Sequence, residues 1–227
     1  MTKLISSMLI NYFKKFVYLI VFAGYSLCYA GSYDEFFTAI VRDDAPKVSA
    51  LLDRGFDPNT VDASGTAGLL VAIKATSVNV ALVLANWPQT KAEVRNSADE
   101  SALMLAALQG ELALCQALIK NGADVNKPGW APLHYAATNG HLDVMNLLLE
   151  ENAYIDAASP NGTTPLMMAA HYGTESAVKL LLEAGADALL KNTQGLSALD
   201  FAHRGNRTIS ANLISAFVRG RQPKGSW

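Results

Sequence analysis

Two consecutive stretches of the chain carry the same alternation of small, apolar and polar positions. Residues 129–153 read GWAPLHYAATNGHLDVMNLLLEENA, and residues 162–186 read GTTPLMMAAHYGTESAVKLLLEAGA. Matched residues lie 33 positions apart, and each stretch contains two short apolar runs with the spacing of a helical face. Self-similarity at such a period predicts a stack of repeated helical hairpins.

The ends of the first helix are marked in both copies. Pro132 and Pro165 lack the N–H group that has no partner in a first helical turn, so each is predicted to open a helix. Gly140 and Gly173 are predicted to end it. A single hairpin cannot bury the apolar face of its second helix, so neighbouring hairpins must stack on one another.

A small residue at one repeated position extends the pattern along the chain. An alanine recurs with steps of 33, 34, 30, 33 and 33 residues, which implies six units. Small side chains at this position let successive first helices approach closely. The recurring alanines are Ala39, Ala72, Ala106, Ala136, Ala169 and Ala202.

The two stretches resemble the ankyrin repeat, whose pattern G-x-TPLHxAA-x-x-G-x-x-x-x-V-x-x-LLL-x-x-GAD they reproduce closely. The resemblance implies an all-α solenoid of about six stacked helix-turn-helix units with projecting β-hairpin-like loops. Such a solenoid counts as one domain, predicted over residues 31–219. Its units 1 to 6 are predicted over residues 33–61, 62–96, 97–127, 128–158, 159–191 and 192–219.

Two connections depart from the 33-residue period. Three residues are missing between Asn126 and Gly129, so the projecting loop in front of unit 4 should be short. The extra residue of the 34-residue step lies somewhere in residues 87–97. The first and last units carry polar residues, such as Asp34 and Ser210, that suit the wettable outer face of an end repeat.

The two ends of the chain differ from the repeats in composition. Residues 1–30 contain three lysines, no acidic residue and an apolar run that ends in a small-x-small sequence before Gly31. This run is shorter than the about 20 residues of a membrane span, so residues 1–30 are predicted to be the cleaved signal peptide of an exported bacterial protein. An uncleaved inner-membrane anchor is the alternative. Residues 220–227, with Gly, Pro and basic residues, are predicted to form a flexible tail.

Charge and cysteine content limit the functional classes. The chain has 18 basic and 20 acidic residues, and loss of residues 1–30 would leave 15 basic residues against 20 acidic ones. This mildly acidic balance lacks the electrostatic footprint of a nucleic-acid-binding protein. Cys115 would then remain without an intramolecular disulfide partner, and a buried free thiol is expected.

The four histidines are the main candidates for chemistry. His134 and His141 match histidine positions of the ankyrin pattern, where they serve mainly as hydrogen-bonding framework. His171 and His203 follow the alanines of adjacent units and could share a metal ion, but they have no carboxylate or thiolate partner at a matching position. The sequence contains no nucleophile elbow and no phosphate-binding loop. It therefore predicts no catalytic residue, no cofactor and no metal site.

The ankyrin resemblance implies a protein-binding surface on the concave side of the solenoid. Contacts are expected beside the glycine before each first helix and at the two positions after its alanine pair. Trp130, Tyr172 and Arg204 belong to the residue types that dominate protein interfaces, although Trp130 could instead fill the gap left by the short loop. The predicted contact residues are Trp130, Asn139, Asn161, His171, Tyr172, Leu196 and Arg204.

The sequence thus predicts a non-enzymatic, monomeric scaffold or partner-protecting protein that binds another protein and no nucleic acid. Cleavage of residues 1–30 would place it in the periplasm or outside the cell. A membrane-tethered ankyrin scaffold and an ankyrin effector directed at a host protein are the alternatives.

Overall fold

The computed structural model describes residues 31–221 as a row of helical hairpins. The predicted signal peptide and residues 222–227 of the predicted tail lie outside the described residues. Within residues 31–221 there are twelve helices, and the first, α1, is described over residues 31–41. The others are α2 (Ala45–Asp53), α3 (Gly68–Lys74), α4 (Val78–Asn86), α5 (Ala102–Gln109), α6 (Leu112–Lys120), α7 (Pro132–Asn139), α8 (Leu142–Glu150), α9 (Pro165–His171), α10 (Glu175–Glu183), α11 (Ala198–Arg204) and α12 (Thr208–Arg221).

The helices form two layers. The first helices of the units pack on one another in the series α3, α5, α7, α9 and α11. The second helices pack on one another in a second series, α2, α4, α6, α8, α10 and α12. Within a unit, the first and second helix also pack together. The fold is the all-α solenoid of stacked helix pairs that the sequence predicts.

The recurring alanines line the joints between the first helices. Ala39 is 4% exposed, and the other five alanines of this column are fully buried. A methyl side chain at these points leaves room for the backbone of the next helix, whereas a larger side chain would have to enter a closed joint. The predicted alanine column is therefore confirmed.

A glycine replaces the helix-opening proline in unit 2 because an aromatic ring occupies the space beside it. A Cβ atom added at Gly68 would lie 2.7 Å from Cε1 of Phe36 and 3.2 Å from Cδ1 of Ile40. Both side chains belong to α1 and are fully buried. Unit 1 thus packs an aromatic ring directly against the backbone of α3.

A glycine follows both α7 and α9, but the two glycines have different roles. Gly140 adopts the left-handed conformation, with φ 70°, and caps α7 as predicted. Helix α9 ends at His171 with Tyr172 as its C-cap, and Gly173 is not left-handed. A Cβ atom on Gly173 would overlap the carbonyl oxygen of Ala137. Helix α9 thus ends just before Gly173, as predicted, but Gly173 serves the close approach of units 4 and 5 rather than a left-handed cap.

The projecting loops are closed by isolated antiparallel bridges in front of three units. Val61, the first bridge residue of one loop, follows the last residue of α2 by eight positions, whereas Arg95 follows the last residue of α4 by nine. The extra residue of the 34-residue step therefore lies between α4 and Arg95. The shortened loop in front of unit 4 contains no such bridge among the described residues. The bridges are Val61 with Ala67, Arg95 with Ser101, and Lys191 with Ser197.

Helix α12 is longer than the other second helices, with 14 residues ending at Arg221. Gly220 and Arg221, the first two residues of the predicted tail, continue the helix. The guanidinium carbon of Arg221 lies 4.4 Å from the ring centroid of Phe217, one turn back, which is a cation–π contact.

Within residues 31–221, no helix combines the length and apolar character needed to cross a membrane.

Two histidines connect neighbouring units through backbone groups. The fully buried His134 accepts the N–H of Ala131 on Nδ1 at 3.1 Å, and its Nε2 lies 2.9 Å from the carbonyl oxygen of Thr163 in unit 5. A neutral ring with its proton on Nε2 satisfies both groups. His141 donates from Nε2 to the carbonyl oxygen of Leu108 in unit 3 at 3.0 Å. Both side chains are hydrogen-bonding framework, as predicted.

The alanine column can be tested by enlarging one member. Ala136→Leu is expected to lower the free energy of unfolding by about 1–3 kcal/mol, because the added carbons would have to enter the joint at α7. Urea unfolding followed by circular dichroism measures this. Ala113, exposed on α6, gives the matched control, since Ala113→Leu should change stability by less than about 0.5 kcal/mol. Equal losses from the two substitutions would contradict a close-packed joint.

Acid is expected to weaken the fold through His134. Burial lowers the pKa of His134 below its ordinary value of 6.5, so below pH 6.5 the unfolded state binds more protons than the folded state. Above pH 6.5 the neutral His134 ring makes its full contribution to the free energy of unfolding, and this contribution decreases as the pH falls below 6.5.

The measurement is the free energy of unfolding at about pH 7.5 and at about pH 5.5. The difference between the two values should shrink in His134→Gln and stay unchanged in His203→Gln, which alters an exposed histidine. If His134→Gln kept the full pH dependence of the wild type, another group would be responsible.

Candidate functional site

The candidate site lies on the exposed side of the odd-numbered helices and the loops before them, which we call the first-helix face. Three columns of side chains repeat along this face, of which Leu105 and Thr163 are buried. In each unit from 2 to 6, one residue of the loop, one from the middle of the first helix and one from its end belong to these columns. The mid-helix and helix-end residues are three positions apart and therefore lie on one side of the helix. The loop column is Thr66, Glu100, Trp130, Thr163 and Leu196; the mid-helix column is Val71, Leu105, Tyr135, Met168 and Phe201; the helix-end column is Lys74, Leu108, Thr138, His171 and Arg204.

An apolar recess of about 210 Å³ lies where units 3, 4 and 5 meet on this face. We call it the Trp130 groove. The ring of Trp130 stands edge-on to that of His134, with a centroid distance of 5.2 Å. The groove is lined by Leu108, Trp130, His134, Tyr135, Thr138 and Met168.

Trp130 directly follows the shortened loop in front of α7. The side chain of Lys127 is 4% exposed and turns inward, with Nζ 2.5 Å from Oδ2 of Asp99 and 3.2 Å from the carbonyl oxygen of Pro128. Gly129 follows with φ 82°. Trp130 is half-buried, so it both fills space beside the short loop and lines the groove.

A charged network ties the loops in front of units 3 and 4 together. Arg95 donates from Nε to Glu93 at 2.8 Å and from Nη1 to Asp99 at 3.2 Å. Glu93 also accepts the backbone N–H of Asp124 at 3.0 Å. The hydrogen bond from Lys127 is the main reason that the pKa of Asp99 lies below its ordinary value. Asp99 is therefore ionised at neutral pH and holds the buried end of Lys127.

Tyr135 connects the groove to a carboxylate. Its phenol donates to Oε1 of Glu100 at 3.0 Å, and Nδ2 of Asn96 donates to Oε2 of Glu100 at 2.7 Å. Burial raises the pKa of Tyr135, so the phenol keeps its proton. Both donors to Glu100 are neutral, and no salt bridge within residues 31–221 includes Glu100. The carboxylate of Glu100 is thus hydrogen-bonded to Tyr135, which lines the groove.

His171 and Tyr172 lie together at the end of α9. Their ring centroids are 4.1 Å apart, and Tyr172 is 55% exposed. His171 donates from Nδ1 to the carbonyl oxygen of Phe201 at 3.0 Å. Arg207 donates to the carbonyl oxygen of Tyr172 at 2.8 Å and to that of His171 at 3.3 Å. Unit 6 therefore fixes the end of α9, and this role of Arg207 is not evident from the sequence pattern.

The other predicted contact residues are spread along the face. Asn139 is exposed and donates from Nδ2 to the carbonyl oxygen of Leu108 at 2.7 Å. Asn161 is exposed, but its side chain accepts from the hydroxyl of Ser159 at 2.6 Å and so supports its own loop. Leu196 is half-buried in the last loop, and Arg204 is exposed at the end of α11. Of the predicted contact residues, the structure places Trp130 in the groove.

Tyr135 and Met168 line the groove but are missing from the predicted contact residues. A signal for them exists in the sequence. They stand three residues before Thr138 and His171, so a helix places them on the same side as the helix-end column. Their position inside the apolar run that precedes each alanine pair is instead typical of core residues.

The described residues show no arrangement typical of metal chemistry. No group of three or more His, Cys, Asp or Glu side chains in residues 31–221 could hold a metal ion. Cys115 is free and fully buried, as expected, and burial raises its pKa to about 12. Its thiol therefore stays protonated and packs as a small apolar side chain.

Family models match the repeated part of the chain. A model of ankyrin repeats in three copies matches residues 82–159, and a model of ankyrin repeats in many copies matches residues 154–202. Together the two matches cover more than half of the 227 residues.

Relatives share the repeats but differ in length. The B-cell lymphoma 3 protein homolog of Mus musculus is 29% identical over 197 residues, which are 83% of this chain and 44% of that protein. The ankyrin repeat and SAM domain-containing protein 6 of Mus musculus is 43% identical over 77 residues, which are 34% of this chain and 9% of that protein. The chain thus spans less than half the length of either relative.

Solved structures have the same fold. An ankyrin repeat domain from Acinetobacter baumannii is 24% identical with a TM-score of 0.69, covering 81% of this chain and 97% of that one. A chain in the complex of a predatory endopeptidase from Bdellovibrio bacteriovorus with an immunity protein is 28% identical with a TM-score of 0.69, covering 80% of this chain and 97% of that one. With its stacked helix pairs and buried alanine column, the chain belongs to the ankyrin-repeat family.

Proposed function

We propose that this chain is a non-enzymatic module that binds another protein through its first-helix face. The observation that carries the proposal is the Trp130 groove, an apolar recess beside a half-buried tryptophan. Exposed Tyr172 and Arg204 lie one and two units further along the same face. Aromatic and arginine side chains around a recess that excludes water are typical of interface hot spots.

The face is also held rigid before any partner arrives. His134 links units 4 and 5, Lys127 anchors the short loop on Asp99, and Arg207 fixes the end of α9. Side chains that are already fixed lose little conformational entropy on binding. Such a face favours one partner surface over many.

The proposed role is that of an exported scaffold or partner-protecting protein. A related chain with this fold belongs to a complex of an endopeptidase with an immunity protein, which supports a protective role as one form of partner binding. The proposed location is the periplasm or the outside of the cell, after removal of residues 1–30. We propose that the module is monomeric, binds no nucleic acid and uses no cofactor or metal.

Two alternatives follow from the same fold. If residues 1–30 are retained, the module is a membrane-tethered scaffold. An ankyrin effector directed at a host protein is the other alternative.

Binding through the first-helix face can be tested with Tyr172→Ala combined with Arg204→Ala. Truncation of a hot-spot residue costs about 2 kcal/mol or more, so partner capture should fall by more than about tenfold. Capture is measured by chemical crosslinking and pull-down from the cell-envelope fraction, with the thermal unfolding midpoint of the variant measured alongside. That midpoint should be nearly unchanged, because both side chains are exposed.

The matched control removes the same kinds of side chain elsewhere. Tyr154→Ala with Lys179→Ala truncates a tyrosine and a cation that are exposed in the loop after α8 and on α10. This variant should capture the partner like the wild type. Loss of capture in the control alone would place the binding surface on the other side of the solenoid.

The site of processing decides between release and tethering. Mass spectrometry of the protein isolated from cells should find a chain that starts at or near Gly31. An intact N-terminus at Met1 would support the tethered scaffold instead.

A further inference from the structure

We infer that the Trp130 groove takes a partner segment in which an aromatic or leucine-type side chain lies close in sequence to a lysine or arginine. This inference rests on the proposed function and adds the chemistry of the partner. The apolar side chain would enter the groove, and the cation would pair with Glu100 at its edge.

The hydrogen-bonding state of the groove selects an apolar occupant. Both ring nitrogens of His134 are already bonded, to Ala131 and Thr163. The phenol of Tyr135 donates to Glu100, and the hydroxyl of Thr138 donates to the carbonyl oxygen of its own helix, at His134, over 2.7 Å. A polar side chain of the partner that entered the groove would lose its hydrogen bonds to water. It could not replace them with hydrogen bonds from these donors, which are already engaged, so its burial would be unfavourable.

The rest of the lining offers large apolar surfaces. Trp130, Met168 and Leu108 approach the recess from units 4, 5 and 3. Methionine adapts its shape to irregular partners and makes favourable contacts with aromatic rings. A flat aromatic ring or a branched aliphatic side chain therefore fits this lining better than a charged one.

Charge at the edge of the groove selects the neighbouring residue of the partner. Glu100 and Trp130 occupy the same position of the loop column in successive units. Glu100 receives two hydrogen bonds from neutral groups, whereas a carboxylate offers about four acceptor positions. The ammonium of Lys127 is held by Asp99. Glu100 is therefore available to pair with a lysine or arginine of the partner.

The test uses a random peptide library displayed on phage and the protein as processed in the cell. Selected peptides should share an aromatic or leucine residue with a lysine or arginine within two positions on either side. An enriched peptide is then synthesised in two forms, one with the basic residue and one with glutamate in its place. The form with the basic residue should bind more tightly.

Two groove variants test where the apolar side chain binds. Met168→Arg fills the groove, and Trp130→Ala removes one wall without adding volume to the fold. Each substitution should lower the affinity for the selected peptide by at least about tenfold. Leu189→Arg, at a 66% exposed leucine in the loop after α10, is the matched control and should bind like the wild type. Unaltered affinity in both groove variants would overturn the inference.

Glu100→Gln tests the charge. This variant should bind the basic and glutamate forms of the peptide with equal affinity, whereas Glu183→Gln, on α10, should keep the wild-type preference. A preference that persists in Glu100→Gln would overturn the pairing, and selected peptides without a common apolar residue would overturn the apolar anchor.

The outcomes separate this inference from the proposed function. If the peptides bind the groove variants as tightly as the wild type, the inference fails, whereas the proposal that the module binds proteins stands. If the groove results hold but Tyr172→Ala with Arg204→Ala still captures the natural partner, the groove chemistry stands and the proposed extent of the binding face fails.

Discussion

The close contact between successive first helices is the constraint on which the structure depends. No unit can bury the apolar side of its own hairpin, so stability comes from neighbours. The fully buried alanines of units 2 to 6 set how near the helices come, and Gly173 lets the backbone of unit 5 reach the carbonyl oxygen of Ala137. Larger side chains at these points would separate the units and remove the contacts that hold every other element.

The Trp130 groove lies next to a local change in the repeat length. The loop in front of unit 4 is three residues short, and it is closed by the inward-turned Lys127 rather than by a hairpin bridge. Next to this loop, the ring of Trp130 lies against His134, and an apolar recess lies between three units. His134 bonds to unit 5 from the same place, so the element that joins the units also forms a wall of the groove.

The repeated features of the fold follow from the sequence because each unit meets the same packing problem. The starts of α7 and α9 at Pro132 and Pro165 and the alanine column could therefore be predicted. The candidate site was predictable only in part. Trp130 stands out by its type, whereas the contributions of Met168 and Arg207 depend on distances between units that no single repeat specifies. Gly220 belongs to α12, because a glycine in a helix is tolerated even where it suggests a break in the sequence.

Hydrogen–deuterium exchange of the isolated protein tests the central claim, that neighbours hold the helices, most directly. The account predicts the slowest amide exchange in α3, α5, α7 and α9, which have a first helix on both sides, and faster exchange toward α1 and α12. It would be contradicted if the amides of α7 exchanged as rapidly as those of an isolated short helix, since the unit in the middle of the stack would then not depend on its neighbours.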